Sequence, residues 1–353
     1  EEGRGLHHPG DGTRHPARIV TESMQKRDIH DTYDFFEYAR VIDSAPSADR
    51  DRLDIAVLDM NHRWPNLGHD QIIHAILDAA GLQRDVLVAA GVKVRAISYD
   101  VRRSGLLPAD PDGRFKVYVA TGGPGHLDPR ENDGISWWAQ GVKESASWEA
   151  PLFRLFDAIQ SHPKASLIGI CHSFGLMCRW SGVAKPVLRD EKSSGIPTNV
   201  LTEVGLQHPW FSQFAKQLPD HRHYRVVDNR LFDLVLEKSC DVNCLALESE
   251  NSAAVTMLEW ARDSDDMPRV FGMNHHPEII DREHVLYVLD EKRLHGDVTE
   301  NWYRERSEAM GSLLQGENER QSRLTSEYTF LRPLQHFVAM QIAERCQTPV
   351  SRA

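Results

Sequence analysis

A cysteine follows an apolar run where the sequence LIGICHSFGLMCRW (167–180) passes from a predicted strand into a predicted helix. A nucleophile on such a tight turn projects from the sheet, and the helix N-terminus behind it favours the thiolate. The crowded turn requires small flanking residues, and Gly169 and Ser173 stand two positions before and after Cys171. These features predict a nucleophilic Cys171, with a buried core cysteine as the alternative.

Two further segments carry residue types that would serve such a nucleophile. In NHHPE, His276 has a carboxylate two positions on, at Glu278, and this offset on an extended segment points both side chains the same way. A carboxylate there fixes the tautomer of a histidine base, whereas the rival His275 has no acid at the same offset. In TGGPG (121–125), glycines let backbone N–H groups face a ligand oxygen, as an oxyanion hole requires. Taken alone, the two segments also fit a polar loop and an ordinary turn.

The chemistry requires a scaffold that brings these segments together. Short β-rich apolar runs alternate with helix-period runs, and this alternation predicts a doubly wound, mostly parallel α/β sheet with sites at the carboxyl ends of its strands. The predicted strands are 53–60, 92–101, 114–120 and 165–171, and the predicted helices between them are 69–81 and 151–162. Residues 223–237 and 242–260 predict a more antiparallel section, and 269–279 predict a last strand that ends in the NHHPE loop.

The pattern divides the chain into three parts. Residues 1–52 are predicted to be an N-terminal arm, a tail followed by a docking helix at 28–43, where apolar and aromatic residues recur at helical spacing. Residues 53–281 carry the catalytic domain. Residues 282–353 are charged and helical in pattern, and we expect a C-terminal helical extension there.

In order and spacing, residues 121–125, 171 and 276–278 resemble the three signatures of class I glutamine amidotransferases: the GGPG loop, the G-x-C-x-G-x-Q elbow and the terminal HPE. The separation of 105 residues (276 minus 171) suits that family, and the resemblance covers roughly residues 53–281. It implies a flavodoxin-like architecture. It also implies attack on the side-chain amide of glutamine, a cysteinyl thioester, release of ammonia and hydrolysis to glutamate.

The resemblance assigns the reacting groups residue by residue. It implies that Cys171 is the nucleophile, His276 its base and Glu278 the residue that orients the base. The backbone N–H groups of Gly123 and His172 would form the oxyanion hole.

The same resemblance places Gly122, Ser173 and Gly175 next to the substrate, where the chain departs from the family. Ser173 stands where the family usually has Gly, and Gly175 where it has a Gln that helps to hold the bound glutamine. The strand that usually carries a Tyr-His-Ser triplet reads VVDNRLFD here, with Asp228 and Asn229 in that region. We therefore expect free glutamine to be a poor substrate, and the space at Gly175 to admit a larger γ-glutamyl or acyl group.

Two loops are candidates for the walls of the site. The segment 132–150 holds Trp137, Trp138 and Trp148, which would either wall a pocket or cap a core. The segment 61–70 follows the first strand of the domain and is expected to border the site, with an ordinary loop as the alternative.

Composition excludes several classes of function. The net charge of -11 argues against general nucleic-acid binding, no apolar run is long enough to span a bilayer, and the N-terminus lacks the apolar core of a signal peptide. Five cysteines without disulfide-framework spacing indicate a reducing cytoplasm. Cys240 and Cys244 lack a second Cys/His pair at finger-like spacing. We expect no metal, no cofactor and no nucleic-acid or membrane partner.

The leading hypothesis is a class I glutamine amidotransferase-like enzyme that cleaves a glutamine or γ-glutamyl-type amide. No synthase domain is recognisable in the sequence, so a separate synthase partner is expected to use any ammonia, and a homo-oligomer is the alternative assembly. One alternative is an acyltransferase of the same architecture, like the homoserine acyltransferases, with a small acyl substrate. The other is a binding or regulatory protein with a relic site.

Overall fold

The computed structural model describes residues 26–237 and 242–347. The strands in these ranges are β1 (Phe36–Val41), β2 (Arg52–Asp59), β3 (Lys93–Asp100), β4 (Phe115–Ala120), β5 (Ser166–Ile170), β6 (Ala184–Gly195), β7 (Thr198–Leu201), β8 (His223–Arg225), β9 (Asp228–Leu236), β10 (Asn243–Glu248), β11 (Val255–Arg262) and β12 (Pro268–Met273).

The helices are α1 (Leu67–Gly81), α2 (Arg84–Ala90), α3 (Val101–Ser104), α4 (Glu149–Ser161), α5 (His172–Ser181), α6 (Glu203–Gln207), α7 (Phe211–Gln217), α8 (Arg282–Leu294), α9 (Glu300–Leu313), α10 (Glu317–Ser326) and α11 (Arg332–Gln347). A π-helical turn (Glu327–Leu331) joins the last two. None of the helices among the described residues combines the length and apolar character that a bilayer crossing needs.

Ten strands form one sheet in the order β1-β3-β2-β4-β5-β12-β11-β10-β7-β8. The first six pair in parallel, and the remaining four continue the sheet in antiparallel fashion. The strands β6 and β9 form a separate antiparallel ribbon. The predicted fold class, a mostly parallel α/β sheet with an antiparallel section and C-terminal helices, is confirmed.

The parallel strands are apolar because helices cover both faces of the sheet. In β2, Ile55 and Val57 point into the core cluster shared with α1, whereas Ala56 and Leu58 point into the cluster shared with α4. Successive side chains of a strand face opposite ways, so a strand covered on both sides reads as a continuous apolar run.

The prediction of a helix at 28–43 was wrong, because residues 36–41 form β1 at the edge of the sheet. They pair in parallel with β3, from Phe36 opposite Val94 to Val41 opposite Tyr99. A short apolar and aromatic run fits both the helical and the strand period. The open edge of β3 supplies backbone hydrogen-bond partners to an aromatic-rich segment of good strand propensity, so the sheet context decides.

The C-terminal helices complete one face of the sheet. Leu334 and Phe337 of α11 lie in the same core cluster as α1. Two buried contacts tie α8 to α1: Lys292 Nζ lies 2.5 Å from Asp70 Oδ2, and the ring of His74 lies 2.6 Å from Glu291 Oε2. Residues beyond 282 therefore share the core of the sheet.

Replacing Leu334 by Ala should lower the free energy of unfolding by about 2–5 kcal/mol, because it removes buried apolar volume from the shared core. Leu294, at the end of α8, is 77% exposed and serves as the matched control. Leu294→Ala should change stability by no more than about 0.5 kcal/mol. Urea titration of both variants measures the difference, and equal losses would contradict a core role for α11.

Candidate active site

Cys171 occupies a strained turn between β5 and α5. Its φ of 51° and ψ of -106° lie in a region that non-glycine residues rarely adopt. Its N–H donates to the carbonyl oxygen of Met273 on β12 at 2.8 Å, and the residue is 9% exposed. Strain of this kind persists only where the surrounding structure enforces it, and it is a feature of nucleophile elbows.

The next strand of the sheet delivers the histidine. Strands β5 and β12 pair in parallel, with Gly169 opposite Gly272, so their carboxyl ends lie side by side. The ring of His276 bonds through Nδ1 to Oε1 of Glu278 at 2.8 Å, and Glu278 is buried. Beyond the carboxylate lies the first turn of α1, where a Cβ at Gly68 would come within 2.5 Å of the same oxygen. The positive end of this helix favours the charged carboxylate.

The electrostatics distinguish His276 from its neighbour His275. Burial lowers the pKa of His276, but the charges of Glu278 and Cys171 outweigh it and hold the pKa well above the ordinary value. Nε2 of His276 is buried and makes no hydrogen bond of standard geometry with the described residues. The Cys171 side chain nevertheless raises the pKa of the ring, both as a charge and as a hydrogen-bond partner. Burial, with His276 and Arg230, lowers the pKa of His275 to about 3. His275 is neutral and lies outside the cavity that holds Cys171.

The loop after β4 lies directly over the thiol. A Cβ at Gly122 would stand 3.1 Å from Cε1 of His276 and 3.9 Å from Sγ of Cys171, so a side chain there would crowd the imidazole. Gly123 and His172 line the same cavity as Cys171. Within the described residues, neither backbone N–H of this pair makes a hydrogen bond. Two free amides beside a nucleophile suit a developing oxyanion.

A buried ion pair fixes this loop, and sequence reasoning missed it. Arg102 donates to the carbonyl oxygens of Met60 at 2.9 Å and Pro124 at 2.7 Å. Its other nitrogens bind Glu144 at 3.1 and 2.6 Å, and both side chains are almost fully buried. Asn132 connects Glu144, at 2.6 Å, to the backbone of the same loop. The segment 132–150 therefore positions the loop over the thiol.

None of the three residues predicted to bind substrate, Gly122, Ser173 and Gly175, is among the residues that line the cavity. The hydroxyl of Ser173 is fully buried and donates to the carbonyl oxygen of Thr121 at 2.5 Å, which ties the elbow to the loop after β4. A Cβ at Gly175 would lie 2.5 Å from a methyl group of Leu127. The space expected at Gly175 is therefore filled by Leu127, and that expectation was wrong.

The cavity over Cys171 has a volume of about 240 Å³. The 61–70 loop borders it through Trp64, Pro65 and Asn66. Strand β9 supplies Asn229, whose carbonyl oxygen lies 3.9 Å from Sγ of Cys171. Strand β9 begins with Asp228 and Asn229, the two residues that the sequence suggests in the region of the family's triplet.

The tryptophans of the 132–150 segment do not wall the cavity. Trp148 is buried in the core beneath α4, Trp138 packs beside Leu127, and Trp137 is exposed. The core-capping alternative is therefore correct for Trp148. The tryptophan that does line the cavity is Trp64.

Cations reach the cavity from two places that the sequence did not single out. Lys192 comes from the β6–β9 ribbon, and Arg306 comes from α9 in the C-terminal region. Neither belongs to a recognisable motif, and no periodicity marks either one.

The metal question raised by Cys240 and Cys244 falls partly outside the described residues, because Cys240 lies there. Elsewhere, two surface groups have metal-compatible spacing, Asp28 with His30 and His295, and Asp263 with Asp265 and His336. Neither group belongs to the cavity over Cys171.

Comparison with known proteins gives fold-level likeness only. No protein-family model matches the chain, and no curated protein does. Similar solved structures include SMU.1228c, with 18% identity, 80% of this chain and 99% of that chain covered, and a TM-score of 0.47. A glutamine amidotransferase from Thermotoga maritima has 11% identity, 83% and 99% coverage and a TM-score of 0.42. A glutamine amido transferase from Methylobacillus flagellatus has 13% identity, 85% and 98% coverage and a TM-score of 0.45. All three TM-scores lie below 0.5, so these likenesses concern the fold alone.

Iodoacetamide should alkylate Cys171 well before Cys178 at pH 7. The raised pKa of His276 favours transfer of the Cys171 thiol proton to the imidazole, which leaves a reactive thiolate, whereas burial raises the pKa of the Cys178 thiol well above its ordinary value. Replacing His276 by Ala should slow the labelling of Cys171 about tenfold. Peptide mass spectrometry measures each site, and equal labelling of Cys171 and Cys178 in the native protein would exclude an activated thiol.

Glu144→Gln should lower the free energy of unfolding by about 3–5 kcal/mol, because it leaves the buried Arg102 charge without its partner. Glu131→Gln is the matched control, since Glu131 is an exposed carboxylate in the same region. This control should stay within about 0.5 kcal/mol of the parent protein. Urea unfolding checks both values. A Glu144 variant as stable as the control would show that the ion pair does not hold the loop.

Proposed function

We propose that the protein is a class I glutamine amidotransferase-like amidase that cleaves a glutamine or γ-glutamyl-type amide through a thioester on Cys171. One observation carries the proposal. A strained cysteine, a histidine whose Nδ1 bonds a buried glutamate at 2.8 Å, and two free backbone amides all border one cavity. This set contains a nucleophile, a base with its orienting group and oxyanion donors.

Each group has a defined role in the reaction. His276 accepts the thiol proton, and Sγ of Cys171 attacks the amide carbonyl carbon to form a C–S bond. The N–H groups of Gly123 and His172 stabilise the oxyanion of the tetrahedral intermediate. His276 then protonates the departing nitrogen, the C–N bond breaks, and ammonia leaves the thioester.

Water completes the cycle by the same route. His276 takes a proton from water, and hydroxide attacks the thioester carbonyl. The C–S bond breaks to release a carboxylic acid, and His276 returns the proton to the Cys171 thiolate. Glu278 holds the ring in the tautomer that presents Nε2 to the thiol and stabilises the imidazolium in both half-reactions. A separate synthase partner is the proposed consumer of the ammonia.

The differences between this chain and the family's elbow motif affect the binding of free glutamine. The family's Gln at position 175 is absent, and Leu127 fills the space next to Gly175. A lost hydrogen bond to a charged ligand group costs about 1.5–3 kcal/mol, which is roughly ten- to a hundredfold in specificity. We therefore propose that free glutamine is turned over slowly.

Cys171→Ser and His276→Ala should abolish ammonia release from primary ω-amide substrates, whereas Glu278→Gln should only reduce it. The carboxylate acts through the histidine and forms no bond to the reacting atoms, so its removal leaves a base in place. The assay follows ammonia together with intact mass, which detects the acyl group on Cys171. The surface variant Glu131→Gln serves as the activity control.

Full activity in the His276→Ala variant would exclude the proposed triad. Efficient turnover of free glutamine, with kcat/KM above about 10⁴ M⁻¹s⁻¹, would contradict the proposed change in specificity but not the amidase mechanism.

A further inference from the structure

A bulge in the β6–β9 ribbon brings Lys192 to the cavity. Leu188 pairs with Phe232 and Ser193 with Arg230, so residues 189–192 stand opposite Leu231 alone. A bulge of this kind redirects side chains, and such bulges are frequent next to active sites.

The two cations of the bulge differ in their partners. Arg189 is held by Asp233 at 2.6 Å and by Glu248 at 3.0 Å. Lys192 forms no ion pair with any carboxylate among residues 26–237 and 242–347, and it lines the cavity. The surrounding protein lowers the pKa of Lys192, while Cys171 raises it and Arg306 lowers it further, so all three groups lie within electrostatic range of one another.

Arg306 reaches the same cavity from α9. This helix packs through Trp302 and Tyr303 on a cluster that contains Val227 and Ile279, next to the site. The guanidinium lies 5.8 Å from the Trp302 ring centroid, and it forms no ion pair within the described part of the chain.

The remaining lining residues leave these two charges uncompensated. The cavity wall, as far as the structure describes it, contains no aspartate or glutamate. The other lining cations have partners elsewhere: Arg230 pairs with Asp228 and Asp233, and His276 pairs with Glu278. A ligand carboxylate therefore finds two free cations, whereas a ligand ammonium finds no carboxylate.

We infer that the acyl donor is an ω-amide with a carboxylate at its far end and no ammonium group beside that carboxylate. Lys192 and Arg306 bind the carboxylate, and Cys171 attacks the amide. This inference rests on the proposed function and narrows its donor class, because γ-glutamyl amides carry an α-ammonium group and would be weaker substrates than ω-amides without one. Free glutamine meets the requirement only in part, since its α-ammonium group would face the same two cations.

Three amides of one chain length test the inference. Glutaramate carries the carboxylate alone, glutamine carries both charged groups, and 4-aminobutanamide carries the ammonium alone. We expect kcat/KM to fall in that order, with glutaramate about fivefold or more above glutamine. Lys192→Gln and Arg306→Gln should each lower kcat/KM for glutaramate by about two- to fivefold, since both cations are exposed. Neither variant should lower it for 4-aminobutanamide.

Charged alkylating agents give a readout that does not need turnover. In the parent protein, the rate ratio of iodoacetate to iodoacetamide at Cys171 reports the local positive charge. That ratio should fall about two- to fivefold in Lys192→Gln and in Arg306→Gln. The matched controls are Lys185→Gln on β6 and Arg304→Gln on α9, both exposed cations outside the cavity, and these should leave the ratio unchanged.

The outcomes separate the two proposals. A ratio that stays constant in both cavity variants, or glutamine turned over as well as glutaramate, would overturn the donor class while the amidase mechanism stands. Absence of an acyl-enzyme with every amide would overturn the proposed function. In that case the alkylation ratio would still decide whether Lys192 and Arg306 attract a carboxylate.

Discussion

The parallel pairing of β5 with β12 is the constraint on which the site depends. It places the end of one strand, which carries Cys171, beside the end of the other, which leads to His276. The bond from the Cys171 N–H to the carbonyl oxygen of Met273, at 2.8 Å, continues this pairing one residue beyond the strand. A shift of one residue would turn every side chain of the strand to the opposite face, so the buried faces of the sheet fix the register. The relative positions of Cys171 and His276 therefore follow from the packing of the sheet's buried faces.

The sheet alone does not fix the loop after β4, and a second set of contacts holds this loop in position. The loop after β4 has few side chains of its own, and its glycines leave room for the thiol and the imidazole. Its position comes from the buried pair of Arg102 and Glu144 and from the Ser173 hydroxyl, which bonds the carbonyl oxygen of Thr121. A buried ion pair contributes little net stability against an apolar alternative, but an unpaired member is costly. Because loss of either partner is costly, the Arg102–Glu144 pair restricts the loop after β4 to one position.

The sequence was sufficient for the features that local chemistry dictates. Alternating apolar runs predicted the parallel sheet, and the NHHPE spacing predicted the contact of His276 with Glu278, now observed at 2.8 Å. The features missed were those set by tertiary context. The open edge of β3 converted 36–41 from a predicted helix into a strand, and Leu127 filled the space expected at Gly175. Lys192 reaches the cavity only through a bulge, for which the sequence carries no periodic signal.

The C-terminal helices connect the His276–Glu278 pair with Arg306, a member of the proposed carboxylate site. The apolar cluster that holds α8 and α9 includes Ile279, which follows Glu278, and Val227, whose carbonyl oxygen accepts the His276 N–H at 2.8 Å. The same cluster carries the helix that brings Arg306 to the cavity. Because packed interiors transmit small displacements, a change in this cluster would move the base and the proposed carboxylate site together. The helices that supply Arg306 to the cavity wall are therefore coupled, through this cluster, to the backbone that holds His276.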